Sequence, residues 1–240
     1  TYKFAKGYYA RVADGAINGR VARLFVTPLV RALMTVVGEM EYLRYMDSFR
    51  YPLSGECAMS ASVAEAIRIP SDWGLEIGIL AEVHRNYTPN AICQVDIADA
   101  YDHKHQPVSD HEADTGLAKM SADIAKALYR KLATYGVVLT PETIRTIKAV
   151  YLRNALDSVE RFYFDAQING LGYDRHKEEK TVEVFVEAII KAGEQYVANP
   201  MEVPFIPTWN RVRAAFPNFL ADFHAAVESD HAEALAARTG

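Results

Sequence analysis

The chain has 240 residues, with 26 Lys and Arg against 31 Asp and Glu and a formal net charge of −5. Half of the residues are hydrophobic and 24% are charged, too apolar for a disordered chain, and the acidic balance argues against nonspecific nucleic-acid binding, which needs a basic face. No uncharged apolar stretch approaches a membrane span, and two cysteines, Cys57 and Cys93, are too few for a disulfide framework; they read as small buried hydrophobes in a reducing, cytoplasmic compartment.

Along the chain, residues 1–136 mix helix and strand signals, and residues 137–240 read as wholly helical. Tyr2, Phe4, Tyr8 and Tyr9 crowd the start, as if the chain began inside a domain. Asn18-Gly19-Arg20 is a turn that opens a helix through Val21, Leu24, Phe25, Pro28, Leu29 and Leu33, with Gly38 closing it. Phe49 to Ala58 is a short extended piece broken by Pro52 and Gly55, and Ser60 to Ile67 has helical spacing. Ser71 and Asp72 are good helix caps before the pattern Leu75, Ile79, Leu80, Val83. Ala91 to Ile97 is β-prone, and the polar loop 99–107 follows it. A helix is expected from about Thr115 to Thr134. Beyond it, Thr140-Pro141 places a cap before a proline at the first helical position, and Asn169-Gly170 ends that helix. A second long helix runs from about Lys177 to Ala198. The stretch Pro200 to Pro207 carries three prolines and reads as an extended connector, Thr208-Trp209 opens a short helix, and Pro217 starts the last one.

Three groups of residues could carry chemistry. His103, Lys104 and His105 follow a strand, with Asp96, Asp99 and Asp102 before them and His111 after. They read either as a metal site of imidazole and carboxylate at a strand end or as a solvated polar loop. Glu76 stands between Gly74 and Gly78, where a carboxylate can face a small ligand closely or can simply favour a helix N-terminus. Gly19-Arg20 at a helix start combines free N–H groups, a dipole and a guanidinium, an anion site unless Arg20 is only a surface arginine. Glu56 in Leu53-Ser54-Gly55-Glu56 is equally open. No dinucleotide, P-loop or nucleophile-elbow pattern occurs, and nothing points to a Ser or Cys nucleophile.

Taken in order, these pieces resemble the glucosyl-3-phosphoglycerate and mannosyl-3-phosphoglycerate synthases, retaining glycosyltransferases of the GT-A type. The resemblance is carried by Gly19-Arg20-Val21 with Thr27-Pro28-Leu29, and by Pro52-Leu-Ser-Gly-Glu56. It continues in Gly74-Leu-Glu-Ile-Gly78, Gln94-Val95-Asp96, His103 with Pro107, and Met120-Ser121. It covers about residues 2–130 and weakens in the helical tail.

The resemblance implies an α/β fold: the C-terminal half of a GT-A, Rossmann-like glycosyltransferase. Residues 1–136 would form its acceptor side, and residues 137–240 an all-helical extension. It implies His103 as ligand of a divalent metal, Mg or Mn, and Glu76 as the catalytic residue, a carboxylate that contacts the donor sugar. Leu53, Ser54, Gly55, Glu56, Trp73 and Met120 would line the donor site, and Gly19, Arg20, Val21 and His105 the acceptor site. The substrates implied are a nucleoside diphosphate sugar, UDP- or GDP-glucose, and 3-phosphoglycerate, with a homodimer as the assembly and no nucleic acid or membrane partner. GDP-mannose is the alternative donor. The chain departs from the family at Ala22 (threonine expected), Trp73 (tyrosine), His105 (asparagine) and Tyr101 (arginine).

Two readings from other classes stand beside it: a non-catalytic, self-associating fragment built on the helical faces with Phe162, Tyr163, Phe164 and Phe185, and a metal-dependent hydrolase on His103, His105 and His111. The family carries an Asp-rich metal motif in an N-terminal nucleotide-binding half, and no Asp-x-Asp pattern occurs here. The chain is therefore expected to lack that half, ~150 residues, and not to turn over substrate by itself.

Overall fold

The computed structural model describes residues 2–99, 116–200 and 206–239. Strand β1 (Phe4–Tyr9) leads into a hairpin of β2 (Val12–Ala13) and β3 (Ala16–Ile17). Asp14 and Gly15, both at positive φ, make the hairpin's two-residue turn. A π-helical segment (Val21–Val26) runs straight into α1 (Thr27–Val37). Then follow α2 (Glu41–Asp47), β4 (Cys57–Met59), α3 (Ala61–Ala66), α4 (Leu75–Asn86), β5 (Ile92–Ala98) and α5 (Gly116–Thr134). The helical half comprises α6 (Pro141–Ile168), α7 (Arg175–Ala198), α8 (Trp209–Ala215) and α9 (Phe219–Thr239).

The main sheet has the order β4-β1-β5. β1 is antiparallel to β4 and parallel to β5, with Lys6 opposite both Cys57 and Gln94. Central β1 was not legible as a strand. Lys6 and Gly7 interrupt its hydrophobic pattern, yet both are buried because strands flank them on either side. The expectation that both cysteines are buried is corrected. Cys57 is exposed and Cys93 half-buried, because β4 and β5 are the edges of this small sheet.

The π-helical turn has a local cause. Pro28 has no N–H to offer the carbonyl of Leu24, four residues back, and the backbone opens so that Thr27 N–H reaches Ala22 O, a π-type bond. The Leu24 carbonyl is taken instead by the Tyr151 hydroxyl of α6 at 2.8 Å. Phe25 packs against Tyr151 and Phe185 at ring separations of 6.0 and 5.0 Å. One apolar core therefore runs from Phe4 through the α1 and α5 faces to Ala192, crossing residue 137 without a break.

Helix ends follow their capping chemistry. Thr140 Oγ1 accepts from Thr143 N at 3.2 Å ahead of Pro141. Asp174 accepts from Lys177 N at 3.0 Å, so α7 begins two residues earlier than its apolar pattern indicates. Asp72 does not cap α4 directly: its Oδ1 accepts from Gly74 N at 2.9 Å and shapes the turn before the helix. Of the expected proline-rich connector, residues 201–205 lie outside the described residues, and Ile206 N–H bonds the Ile69 carbonyl at 2.9 Å. Of the apolar faces on the tail helices, Phe185 is fully buried in the core while Phe164 is exposed.

Candidate active site

Gly19 stands at φ +74°, a conformation that costs other residues strain, and it turns the chain from the hairpin into the π-helical segment. The loop before it is closed by Asn18 N–H to Arg11 O at 2.6 Å. Gly19, Arg20, Val21 and Ala22, at the start of this segment, line one cavity of about 420 Å³. That cavity is lined by Gly19, Arg20 and Val21, by Leu53 and Gly55, by Trp73 and Glu76, and by Met120 of α5. Eight residues singled out from the sequence thus come from four separate stretches of chain to one wall of space.

Ser54 and Glu56 stand behind that wall. The Ser54 hydroxyl is buried and donates to Gly7 O at 2.5 Å, while Gly7 N–H bonds Glu56 O at 2.8 Å. The Glu56 carboxylate accepts from Tyr9 OH at 3.2 Å. The turn 53–56 is therefore stitched onto β1, and Ser54 supports the lining and does not form it. Trp73 is 47% exposed, so its indole is open to a ligand. His103 and His105, with Tyr101, Pro107 and His111, lie outside the described residues.

The glycines beside Glu76 serve packing. A Cβ on Gly74 would sit 2.7 Å from Ala127 Cβ of α5, and one on Gly78 would overlap the Pro70 ring. They let α4 approach its neighbours, and that approach brings its first turn, with Glu76, to the cavity. Burial pushes the Glu76 carboxyl above the usual carboxylate range, and the nearby Glu56 adds to this while Lys6 opposes it.

Lys6 was missed. It is 3% exposed, and its Nζ donates to Ser54 O at 2.5 Å beneath the turn 53–56. Burial lowers its pKa against the pull of Cys57, Glu76 and Glu56. Glu178 of α7 was missed too. It accepts from Arg20 Nε at 3.3 Å and from Arg23 Nη2 at 2.7 Å, with Glu178 and Arg23 both buried. Arg20 is therefore not a free surface arginine: one edge of its guanidinium is held by the helical half and its body lines the cavity. Arg23 also donates to the carbonyls of Asn18 (3.1 Å) and Ile17 (3.5 Å), which fixes the loop leading into Gly19. Tyr9, Arg11 and Tyr51 also line the cavity, with Arg11 Nη1 donating to Tyr51 OH at 2.7 Å. Only the aromatic cluster at Tyr8 and Tyr9 drew notice to this stretch in the sequence.

The chain is mixed α/β, a small sheet and a helical extension sharing one core, an architecture compatible with the C-terminal half of a GT-A fold followed by a helical extension. The chain is 45% identical over 232 residues to glucosyl-3-phosphoglycerate synthase of Persephonella marina, a match that covers 97% of this chain and 57% of that protein. It is 41% identical over 237 residues to glucosyl-3-phosphoglycerate synthase of Methanococcoides burtonii, covering 95% of this chain and 56% of that one. The resemblance carried by the sequence motifs is thereby borne out, and the chain is a relative of glucosyl-3-phosphoglycerate synthases. It spans little more than half the length of these curated relatives. No family model matches the chain.

Proposed function

We propose that this chain carries the sugar and acceptor side of a retaining glycosyltransferase. The protein it serves would move glucose from a nucleoside diphosphate glucose, UDP- or GDP-linked, to 3-phosphoglycerate. The observation that carries this reading is the single cavity where Arg20 and a helix start oppose Glu76 and Trp73. The names of the two relatives support glucose over mannose.

In this reading the helix N–H groups and the Arg20 terminal nitrogens hold the anionic groups of the acceptor. Its hydroxyl is thereby kept near the anomeric carbon. Glu76 accepts hydrogen bonds from the sugar hydroxyls, and the Trp73 face gives the sugar an apolar wall. A divalent metal, Mg or Mn, belongs to the proposal through His103 and would neutralise charge on a departing diphosphate. Among the described residues no group of three or more His, Cys, Asp or Glu could hold a metal, and His103 lies outside those residues. A homodimer is also proposed. Phe216, Leu220, Phe223 and Leu235 of the last helices and their link are exposed, and sedimentation of the purified chain tests it. Among the described residues no helix is long and apolar enough to cross a membrane.

The test is calorimetry of the chain with 3-phosphoglycerate and with each nucleoside diphosphate glucose. Arg20→Ala should weaken 3-phosphoglycerate binding about tenfold or more, the loss of charge-assisted hydrogen bonds. In an active protein carrying this chain, Glu76→Gln should lower turnover more than donor affinity. His103→Ala should weaken donor binding only when Mg or Mn is present. An Arg20→Ala variant with unchanged 3-phosphoglycerate affinity refutes the acceptor assignment.

A further inference from the structure

A second cavity, about 750 Å³, adjoins the first. The two share the wall formed by Tyr9, Arg11, Asn18, Gly19, Ala22 and Tyr51. The far side of the larger one is built partly from the C-terminal half of α6, which no reading of the sequence connected with a site. Its lining includes Arg11, Arg23, Arg31, Arg50 and Arg161, against the carboxylates Asp47 and Asp165. Two of these arginines are neutralised: Arg23 by Glu178 at 2.7 Å and Arg31 by Asp47 at 2.9 Å.

The other three have no carboxylate partner among the described residues. Each is seated on an aromatic ring. Arg11 donates to Tyr51 OH at 2.7 Å and lies 5.7 Å from that ring's centre. Arg50 donates to Tyr8 OH at 3.1 Å and lies 4.8 Å over the Tyr8 ring. Arg161 lies 5.2 Å over Phe162. The backbone of Arg50 is fixed as well, because its N–H donates to Gln94 Oε1 at 2.9 Å and Gln94 Nε2 donates to Ser48 O at 2.9 Å. A guanidinium seated on a ring keeps a defined plane and leaves donors for an anion, and such planar forks match phosphate oxygens. Three of them, from chain positions 11, 50 and 161, converge on one cavity with two carboxylates, one already paired.

We propose that this second cavity binds a phosphorylated small molecule, at a site separate from the acceptor clamp of Arg20. The occupant is a phosphate monoester or another compact phosphoanion held by Arg50 and Arg161, with Arg11 at the shared wall. That wall includes Gly19 and Ala22, so the two sites adjoin. The proposal rests on the arginine geometry and stands whether or not the Arg20 pocket takes 3-phosphoglycerate.

The experiment titrates inorganic phosphate into the purified chain by calorimetry at about 0.15 M salt, where long-range attraction is screened. It is run on the unaltered chain, on the double variant Arg50→Ala/Arg161→Ala and on Arg20→Ala. Both outer arginines are on the surface, and circular dichroism checks that the double variant stays folded. Phosphate binding should weaken roughly tenfold or more in the double variant and persist in Arg20→Ala. Absence of phosphate binding to the unaltered chain overturns the proposal, as does unchanged affinity in the double variant. Loss with Arg20→Ala and not with the double variant overturns it too, since the phosphate then sits in the acceptor pocket. A parallel titration with 3-phosphoglycerate keeps the two readings apart. If Arg20→Ala leaves its affinity unchanged while the phosphate results hold, the acceptor assignment fails and the second site stands.

Discussion

Removal of the Glu178 carboxylate tests how the helical half supports the cavity. Glu178 is 5% exposed and accepts from both Arg23 at 2.7 Å and Arg20 at 3.3 Å. In Glu178→Ala the Arg23 charge stays buried with its main partner gone, and breaking such a pair costs about 3–5 kcal/mol. Arg23 keeps the Asn18 carbonyl at 3.1 Å, the Tyr173 hydroxyl at 3.4 Å and the Phe162 and Tyr173 faces, while Arg20 has access to water. These residual partners place the loss at the lower end, ~3 kcal/mol. For 240 residues the unfolding entropy is roughly 0.5 kcal/mol/K, so Tm should fall by about 6 °C. Glu178→Gln, which keeps one acceptor and the shape, should lose distinctly less. The fall should change little with added salt, because a buried pair is poorly screened. The same variant should bind 3-phosphoglycerate more weakly, since Arg20 loses the anchor that sets its edge. Calorimetric melting at two salt concentrations reads the first effect and titration the second. A Tm fall under about 2 °C would show that Glu178 is not needed to neutralise Arg23.

Further expectations concern the core and the titration of the cavity. Tyr151→Phe should cost about 1–2 kcal/mol, because it leaves the buried Leu24 carbonyl without the 2.8 Å hydroxyl that replaces the N–H missing at Pro28; urea unfolding showing no loss would refute that account. Gly193→Ala should destabilise by about 1–3 kcal/mol despite alanine's better helix propensity, since its Cβ would lie 2.5 Å from Ile144 Cγ2 at the α6–α7 contact. Adding Ile144→Ala should make the Gly193→Ala step nearly free, and additive losses would count against the clash. Glu76 binds its proton more tightly in the fold than in the unfolded chain. Its contribution to stability should therefore fall as pH rises from about 4.5 through the raised folded pKa, and level off above it. Glu76→Gln removes that titration, so its Tm relative to the unaltered chain should climb over the same window; a difference independent of pH would refute the burial effect.

Much of the local structure follows from nearest neighbours in the chain. Thr140-Pro141, Asp174 and Gly38 mark helix ends by chemistry that acts over a few residues. The apolar spacing of α1 and of α4 to α7 is readable because each buries one face against the core. Gly19-Arg20 was readable as the start of a helical segment for the same reason, and the structure puts both residues on the cavity wall. The motif order also pointed to the right relatives. Glu76 was noticed among its glycines for an incomplete reason, as those glycines admit Pro70 and Ala127 and only thereby bring Glu76 to the cavity.

Long-range electrostatics and sheet pairing were decided by the tertiary structure alone. Arg20 and Glu178 are 158 residues apart, and no local pattern links them. Lys6 reads as a polar break in a weak strand until two flanking strands bury it and the Ser54 carbonyl receives its ammonium. Ser54 itself looks like a ligand residue in sequence and is spent on Gly7 in the fold. The three ring-seated arginines show the same division. Each is an ordinary charge at its own position, and only the packing of α6 beside the β2–β3 hairpin and the loop at Arg50 gives them a common cavity. Short-range backbone chemistry is written residue by residue, whereas burial and charge partnership are properties of the assembled core.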